Sequence, residues 1–380
     1  MSAYFANTRT GEIMEIAFVF RSKNSFGGVQ RRLTRVYNEI CAENDDIKCE
    51  IVIHRCDLNT ALTRFQQSDC DMANFNQIYA FKSRLRCLLY VLFSRKCRVI
   101  HIYDAGKYNI VVQLACKLSN KKNIYTICDY QEAYNDSPKN HMRKVKLQLR
   151  LADHVDLLNP SGADFISRYV KKENLSITPG TFTDLTLFRP QRKDKTIVYA
   201  AARLEDAKDP ILFIESINEA RDAIRAAGYR VILLGQGKYE EYLQNYVKDH
   251  NLTDIVHLAG YDKTSKYMPT ANVFFSTQVL ENYPSQSLAE AVACGCYAII
   301  TDVGDSRRCA DESFAAFVKP NKEALSQALV RYIGYSEQEK KAIVEKARAF
   351  AEAHFSIEES KKYYLGILRK LDTPSKARNG

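Results

Sequence analysis

The sequence predicts an α/β protein built from two Rossmann-like domains that face a central cleft. Three observations carry that expectation. Apolar runs of strand length alternate with longer amphipathic segments of helical period, the pattern of parallel α/β layers. The alternation then starts afresh in the second half. Between the two series lies Pro179–Arg192, rich in Pro, Gly and Thr, with a charged end at Arg192–Lys195, which reads as a linker. At 380 residues, each half is long enough to bury its own core.

The strands expected in the first half are Ile16–Phe20, Glu50–His54, Val99–Tyr103, Asn123–Ile127 and Val155–Leu158. Helices follow at Val29–Ala42, Lys82–Ser94, Asn109–Leu118, Met142–Leu151 and Ala163–Val170. In the second half, strands Thr196–Ala200, Val231–Leu234, Ile255–Leu258, Val273–Ser276 and Tyr297–Ile300 alternate with helices such as Ile211–Ala226 and Tyr239–Lys248. Ile357–Leu371 reads as a final helix and Thr373–Gly380 as a frayed end. There is no repeat and no low-complexity tract.

Composition fits a globular chain, with 46% hydrophobic and 11% aromatic residues. Met1–Gly11 is polar and the first apolar run is strand-sized, unlike a signal peptide. No apolar run approaches the roughly 20 residues needed to span a bilayer. Eleven cysteines without short paired spacings read as reduced, small apolar residues of a cytosolic protein. Residues 1–180 carry 27 Lys+Arg against 18 Asp+Glu, whereas the rest carry 28 against 27. That basic excess suits either a solvated face or an acidic membrane surface. No nucleic-acid motif accompanies it.

The densest chemistry lies in residues 271–305. Glu281-Asn282-Tyr283-Pro284-Ser285 forms a turn after the strand Val273–Ser276. Glu290 follows in the helix that this turn opens, in the run Glu290-Ala291-Val292-Ala293-Cys294-Gly295-Cys296-Tyr297-Ala298-Ile299-Ile300. A loop leaving a strand's C-terminal end for a helix N-terminus is where open α/β sheets take ligands, with free N–H groups on offer to an anion. Upstream, the strand run Ile197–Ala202 ends in Arg203-Leu204-Glu205-Asp206-Ala207-Lys208.

These two blocks resemble glycosyltransferase family 4, the retaining enzymes of the GT-B fold (glycosyl transferases group 1). Three departures stand out: eight residues separate Glu281 from Glu290, one more than is usual there, Tyr297 replaces a Pro, and Ala202 replaces a Gly. The resemblance implies that Arg203 and Lys208 grip the donor diphosphate, work that requires fixed cations when no metal is present. It implies that Glu290 accepts hydrogen bonds from both ribose hydroxyls. Glu281 becomes an orienting and electrostatic residue at the donor sugar, with Asn282, Tyr283, Pro284 and Ser285 reaching sugar hydroxyls or phosphate. It further implies an acceptor-binding domain over residues 1–180 and a nucleotide-sugar-binding domain over residues 192–356. The last helix, residues 357–371, would return to the first domain, and Pro179–Arg192 would act as the hinge.

Weaker signals complete the list. Gly235-Gln236-Gly237 ends a strand with residues that let a backbone approach a ligand. Ile255–Tyr261 resembles the family's base-pocket element, in which His257 packs or caps. Gly27 and Gly28 form a strand-to-helix loop suited either to phosphate or to a plain turn. Arg31 and Arg32 follow, either toward an anionic acceptor or on an exposed helix face. Asp129 stands beside Cys128, where many family members have His, and either serves the acceptor or caps a turn. His101 reads as a packed strand residue. Asp69-Cys70-Asp71 has the Asp-x-Asp form of a metal site, but in a polar turn with no strand before it. The basic stretch Lys82–Arg98 is either a core helix or an interfacial one, and Met142–Leu151 is a second candidate membrane contact.

The combined expectation is a metal-independent retaining glycosyltransferase with no cofactor. It would move a hexose-type sugar from a UDP- or GDP-sugar to a glycan or lipid-linked acceptor in cell-surface polysaccharide assembly. It would be cytoplasmic, with a contact to the inner face of the plasma membrane through the basic first half. The competing classes are a GT-B-fold sugar-nucleotide epimerase and an inactive sugar-nucleotide or glycan binder.

Overall fold

The computed structural model describes residues 13–21, 28–67, 72–103, 106–128 and 138–372. Gly27, Asp69, Asp71, Asp129 and residues 373–380, on which the sequence places expectations, lie outside the described residues.

The chain forms two compact units. One takes the residues up to Pro179 and those from Glu358 onward, and the other is Gly180–Ile357. The chain therefore passes from one unit to the other twice, at Pro179–Gly180 and at Ile357–Glu358.

In the first unit the strands are β1 (Met14–Arg21), β2 (Ile47–His54), β3 (Gln77–Phe81), β4 (Cys97–Tyr103), β5 (Lys122–Ile127), β6 (His154–Leu157) and β7 (Leu175–Ile177). Its helices are α1 (Gly28–Glu43), α2 (Leu58–Gln67), α3 (Arg84–Phe93), α4 (Lys107–Leu118), α5 (Lys139–Leu151) and the single turn α6 (Ala163–Ile166). All strand pairings are parallel, in the order β3-β2-β1-β4-β5-β6-β7. Seven of the eight residues of β1 are buried, as expected for a strand covered on both faces.

The second unit repeats the plan. Its strands are β8 (Thr196–Arg203), β9 (Arg230–Gln236), β10 (Val256–Gly260), β11 (Val273–Ser276), β12 (Tyr297–Thr301) and β13 (Ala315–Val318), parallel in the order β10-β9-β8-β11-β12-β13. Its helices are α7 (Pro210–Glu219), α8 (Arg221–Ala227), α9 (Glu240–Asp249), α10 (Gln286–Ala293), α11 (Lys322–Ile333) and α12 (Glu337–His354). In both sheets the first strand sits centrally and the order reverses beside it, between β1 and β4 and between β8 and β11. Such a switch point opens a crevice at the strands' carboxyl ends.

The stretch read as a linker behaves differently from one. From Gly180 on it belongs to the second unit. Phe182 and Phe188 are buried, and Phe188 joins that unit's core. The Arg348 guanidinium of α12 donates to the carbonyls of Phe188 (2.8 Å), Leu185 (3.1 Å) and Ala293 (3.1 Å). Apolar side chains and a fixed cation hold this strap to its own domain, so its Pro and Gly content marks irregular backbone rather than freedom.

The final helix, α13 (Ile357–Asp372), packs within the first unit. Tyr363 and Tyr364 donate their hydroxyl hydrogens to the two oxygens of buried Asp156 at 2.6 and 2.7 Å. Thr126 also donates to Asp156 (2.8 Å), His101 Nε2 lies 2.7 Å from the Thr126 hydroxyl, and Tyr37 bonds the other ring nitrogen. Arg32 joins this cluster through Tyr364 and Thr178. Arg32 is thus buried rather than on an exposed helix face. His101 is a packed strand residue, its imidazole pushed down to about 4 by burial.

Candidate functional site

At the second unit's switch point, β8 and β11 lie side by side and their carboxyl ends open into residues 204–209 and 277–285. Thr277 ties the two loops by reaching the carbonyls of Lys208 (3.0 Å) and Asp209 (2.9 Å). The Val279 N–H bonds the Ala207 carbonyl at 3.3 Å. The loops are also fixed to β12, because the Thr301 hydroxyl accepts the Gln278 N–H (2.9 Å) and donates to its carbonyl (2.8 Å).

Lys208 is half-buried here and donates to Gln278 Oε1 at 2.9 Å. Burial pushes its ammonium down to about 8, Arg203 adds repulsion, and Glu205 opposes both. Arg203 ends β8 with an exposed side chain, 3.1 Å from Glu205. Exposed pairs of this kind are weak, so the guanidinium is readily recruited by a stronger anion.

Glu281 organises the turn. Its Oε1 accepts the N–H groups of Asn282 (2.9 Å), Tyr283 (2.8 Å) and Asp305 (3.0 Å), joining the loop after β11 to the loop after β12. Burial raises its carboxyl above the ordinary range, while the same N–H groups pull the other way. Ser276 Oγ holds buried Asn282 at 3.0 Å. Tyr283 and Pro284 are joined by a cis peptide. Ser285 precedes α10 without a side-chain capping bond.

Glu290 is buried on α10, 5% exposed. Its Oε2 accepts from the Thr264 hydroxyl (2.6 Å) and its Oε1 from the Gln286 amide (3.1 Å). Each carboxylate oxygen can accept more than one hydrogen bond. Thr181 in turn donates to Gln286 at 3.0 Å. Thr264, Gln278 and Gln286 belong to no motif block of the sequence. Only Gln286 left a trace, four residues before Glu290 on one helix face.

Gly235 and Gly237 are fixed as glycines by the packing of β9 against the end of β8. A Cβ at Gly235 would stand 2.1 Å from the Ala201 carbonyl, and one at Gly237 would stand 2.7 Å from that of Leu204. Both have positive φ. Their missing side chains let β9 run close to the end of β8, which positions Arg203. His257 is exposed on edge strand β10, neither packed nor capping in the way the sequence suggested. Gly28 starts α1 with open space where a Cβ would stand, and Cys128 is half-buried just after β5. Among the described residues, no group of three His, Cys, Asp or Glu gathers as a metal site.

The arrangement offers a recruitable guanidinium at the end of β8, a half-buried cation in the loop that follows it, and a buried, supported carboxylate on α10, the helix after β11. Residues 186–350 match the family model described as glycosyl transferases group 1. Two curated relatives come from Campylobacter jejuni. One, an alpha-1,4-N-acetyl-D-galactosaminyltransferase named for a GalNAc–diNAcBac–PP-undecaprenol substrate, is 22% identical over 62% of this chain and 65% of its own length. The other, an N-acetylgalactosamine-N,N'-diacetylbacillosaminyl-diphospho-undecaprenol 4-alpha-N-acetylgalactosaminyltransferase, is 28% identical over 46% of this chain and 47% of its own. The chain thus matches less than two thirds of either relative. Among solved structures, Anabaena HepE in complex with UDP and glucose superposes with a TM-score of 0.76 at 15% identity, over 94% of this chain and all of that one. Arg203, Lys208, Glu281 and Glu290 all fall inside the segment that matches glycosyl transferases group 1, and the chain that carries it has the GT-B fold of two Rossmann-like domains.

Proposed function

We propose that this protein is a retaining glycosyltransferase of the family 4 kind. It transfers a hexose-type sugar from a UDP- or GDP-sugar to a glycan or lipid-linked acceptor, without a divalent metal or other cofactor. The observation that carries this reading is that the elements following two neighbouring strands, β8 and β11, bring a half-buried cation, Lys208, and a buried carboxylate, Glu290, which suit a diphosphate and a ribose respectively. The printed names of the Campylobacter relatives and the UDP in the HepE structure support the same class of donor and acceptor.

In this mechanism Lys208 and Arg203 neutralise the leaving diphosphate as the glycosidic C–O bond lengthens. Glu290 anchors the nucleoside by accepting from its ribose hydroxyls. Glu281 keeps residues 282–285 in place against the sugar and lends negative charge near the developing oxocarbenium ion. The acceptor hydroxyl bonds the anomeric carbon from the face that the diphosphate leaves, and the departing phosphate oxygen takes its proton. Cell-surface polysaccharide assembly on the cytoplasmic side of a membrane is the setting that fits.

The test is transfer itself. The full chain is incubated in chelator with labelled UDP- and GDP-hexoses and an undecaprenyl-diphosphate-linked or free oligosaccharide acceptor. The expected result is a glycosylated acceptor whose new linkage keeps the donor's anomeric configuration by NMR. Release of an epimerised sugar nucleotide, or no turnover of any donor, would overturn the reading.

A further inference from the structure

Helices α3, α4 and α5 cover one face of the first unit's sheet. Their inward residues, Cys87 and Val91, Val112 and Cys116, Val145 and Leu149, share one core cluster with the strands. The three are locked together: Tyr108 of α4 donates to the Arg84 carbonyl of α3 (2.8 Å), and Gln113 of α4 donates to the Gln148 carbonyl of α5 (3.0 Å).

The outer side of this layer is unusual. Leu85, Leu89 and Phe93 recur every four residues along α3, opposite the inward pair. Leu118, Phe93 and Leu85, exposed by 84%, 73% and 63%, are the three most exposed large apolar side chains among the described residues. Val111 and Leu114 on α4 and Leu147 on α5 extend the patch. The inward residues already satisfy the core, so this second apolar stripe has no partner within the unit. The same three helices carry nine Lys or Arg and no Asp or Glu. Lys117 pairs with Asp153, and Lys146 and Arg150 lie over Tyr169. Arg86 and Lys107 are exposed along the apolar stripes.

We propose that the outer face of α3, α4 and α5 docks on an anionic lipid bilayer, with Leu85, Phe93 and Leu118 entering the headgroup boundary and the surrounding Lys and Arg contacting acidic headgroups. Exposed apolar side chains, on helices whose charged residues are all basic, are the two features such a surface rewards together. A second copy of the chain is a poorer fit, because it would set one carboxylate-free basic face against another. This surface lies on the first unit, and the inference does not depend on the transfer reaction.

The experiment is co-sedimentation of the full chain with vesicles of phosphatidylcholine alone and of phosphatidylcholine mixed with phosphatidylglycerol. Two variants accompany the wild type, Leu85→Ser/Phe93→Ser/Leu118→Ser and Arg86→Glu/Lys107→Glu, each checked for its melting temperature. The wild type is expected to partition onto the mixed vesicles and to release as salt rises. Each variant should bind them roughly tenfold or more weakly. Should the apolar variant unfold, the charge-reversal variant, which leaves the core untouched, decides alone. The proposal is overturned if the wild type stays in solution with both vesicles, or if a folded variant binds as well as the wild type. It is equally overturned if light scattering shows a wild-type dimer that the apolar variant dissociates.

Discussion

The carboxylate of Glu281 occupies the space where a side chain at residue 304 would stand. A Cβ on Gly304 would lie 2.5 Å from Glu281 Oε2, and Gly304 has φ of +53°. The loop after β12 therefore lacks a side chain at this point so that the loop after β11 can be tied down by Glu281. Gly304→Ala must pay both for left-handed backbone and for displacing the carboxylate, about 2 kcal/mol or more. Chemical denaturation should show that loss. Nucleotide-sugar affinity should fall with it, because residues 282–285 lose their anchor.

Lys208 gives the site a pH dependence of definite sign. A lysine ordinarily titrates near 10.5, and burial holds this one at about 8. The unfolded chain binds the proton more tightly, so this group's contribution to stability rises as pH climbs from about 8 toward 10.5. Binding of an anionic diphosphate runs the other way, since it requires the charged form. Affinity for a nucleoside diphosphate should weaken by about tenfold as the ammonium is lost, with the midpoint displaced upward by the bound diphosphate. Lys208→Met should bind weakly at all pH values, and calorimetry across pH 7–10 checks both curves.

The first unit should be acid-labile. Burial pushes His54, His101 and His154 each down to about 4 from the ordinary 6.5. Their folded forms are neutral while the unfolded chain protonates near 6.5. Stability is therefore full above that pH and is lost progressively as pH falls toward about 4. Melting temperatures between pH 7 and 4 should fall accordingly, and His101→Gln should flatten the slope by about one proton.

Arg348 should matter although it is remote from the switch-point loops. Its guanidinium serves three carbonyls that hold the strap of residues 185–188 and the end of α10. Arg348→Ala should destabilise the second unit by about 2 kcal/mol, measured by urea denaturation, and Arg348→Lys should recover only part of it.

Much of this architecture was legible because buried parallel strands are continuous apolar runs. The apolar run Val273–Ser276 coincides with β11, and nine other runs lie within a few residues of their strands. The strands that escaped, Gln77–Phe81, Leu175–Ile177 and Ala315–Val318, all lie at sheet edges. Gln77–Phe81 and Leu175–Ile177 each include a polar residue and no fully buried one, so their apolar signal is weak, whereas Ala315–Val318 is apolar throughout but only four residues long. Ile211–Ala226 read as one helix but divides at Ala220, where no Pro or Gly marks the break. Arg203, Lys208, Glu281 and Glu290 were legible from the motif blocks. Their supports were not: Thr264 and Gln278 reach Glu290 and Lys208 from separate loops, through contacts that exist only once the sheet has formed.

The most direct test of the central claim is calorimetric titration of the full chain with UDP- and GDP-sugars in excess chelator, for wild type, Arg203→Ala and Glu290→Ala. The account predicts that one nucleotide class binds the wild type without metal, and that each variant weakens it by about tenfold or more. Binding that needs a divalent ion and is indifferent to Arg203 and Glu290, or no binding of any nucleotide sugar, would contradict it.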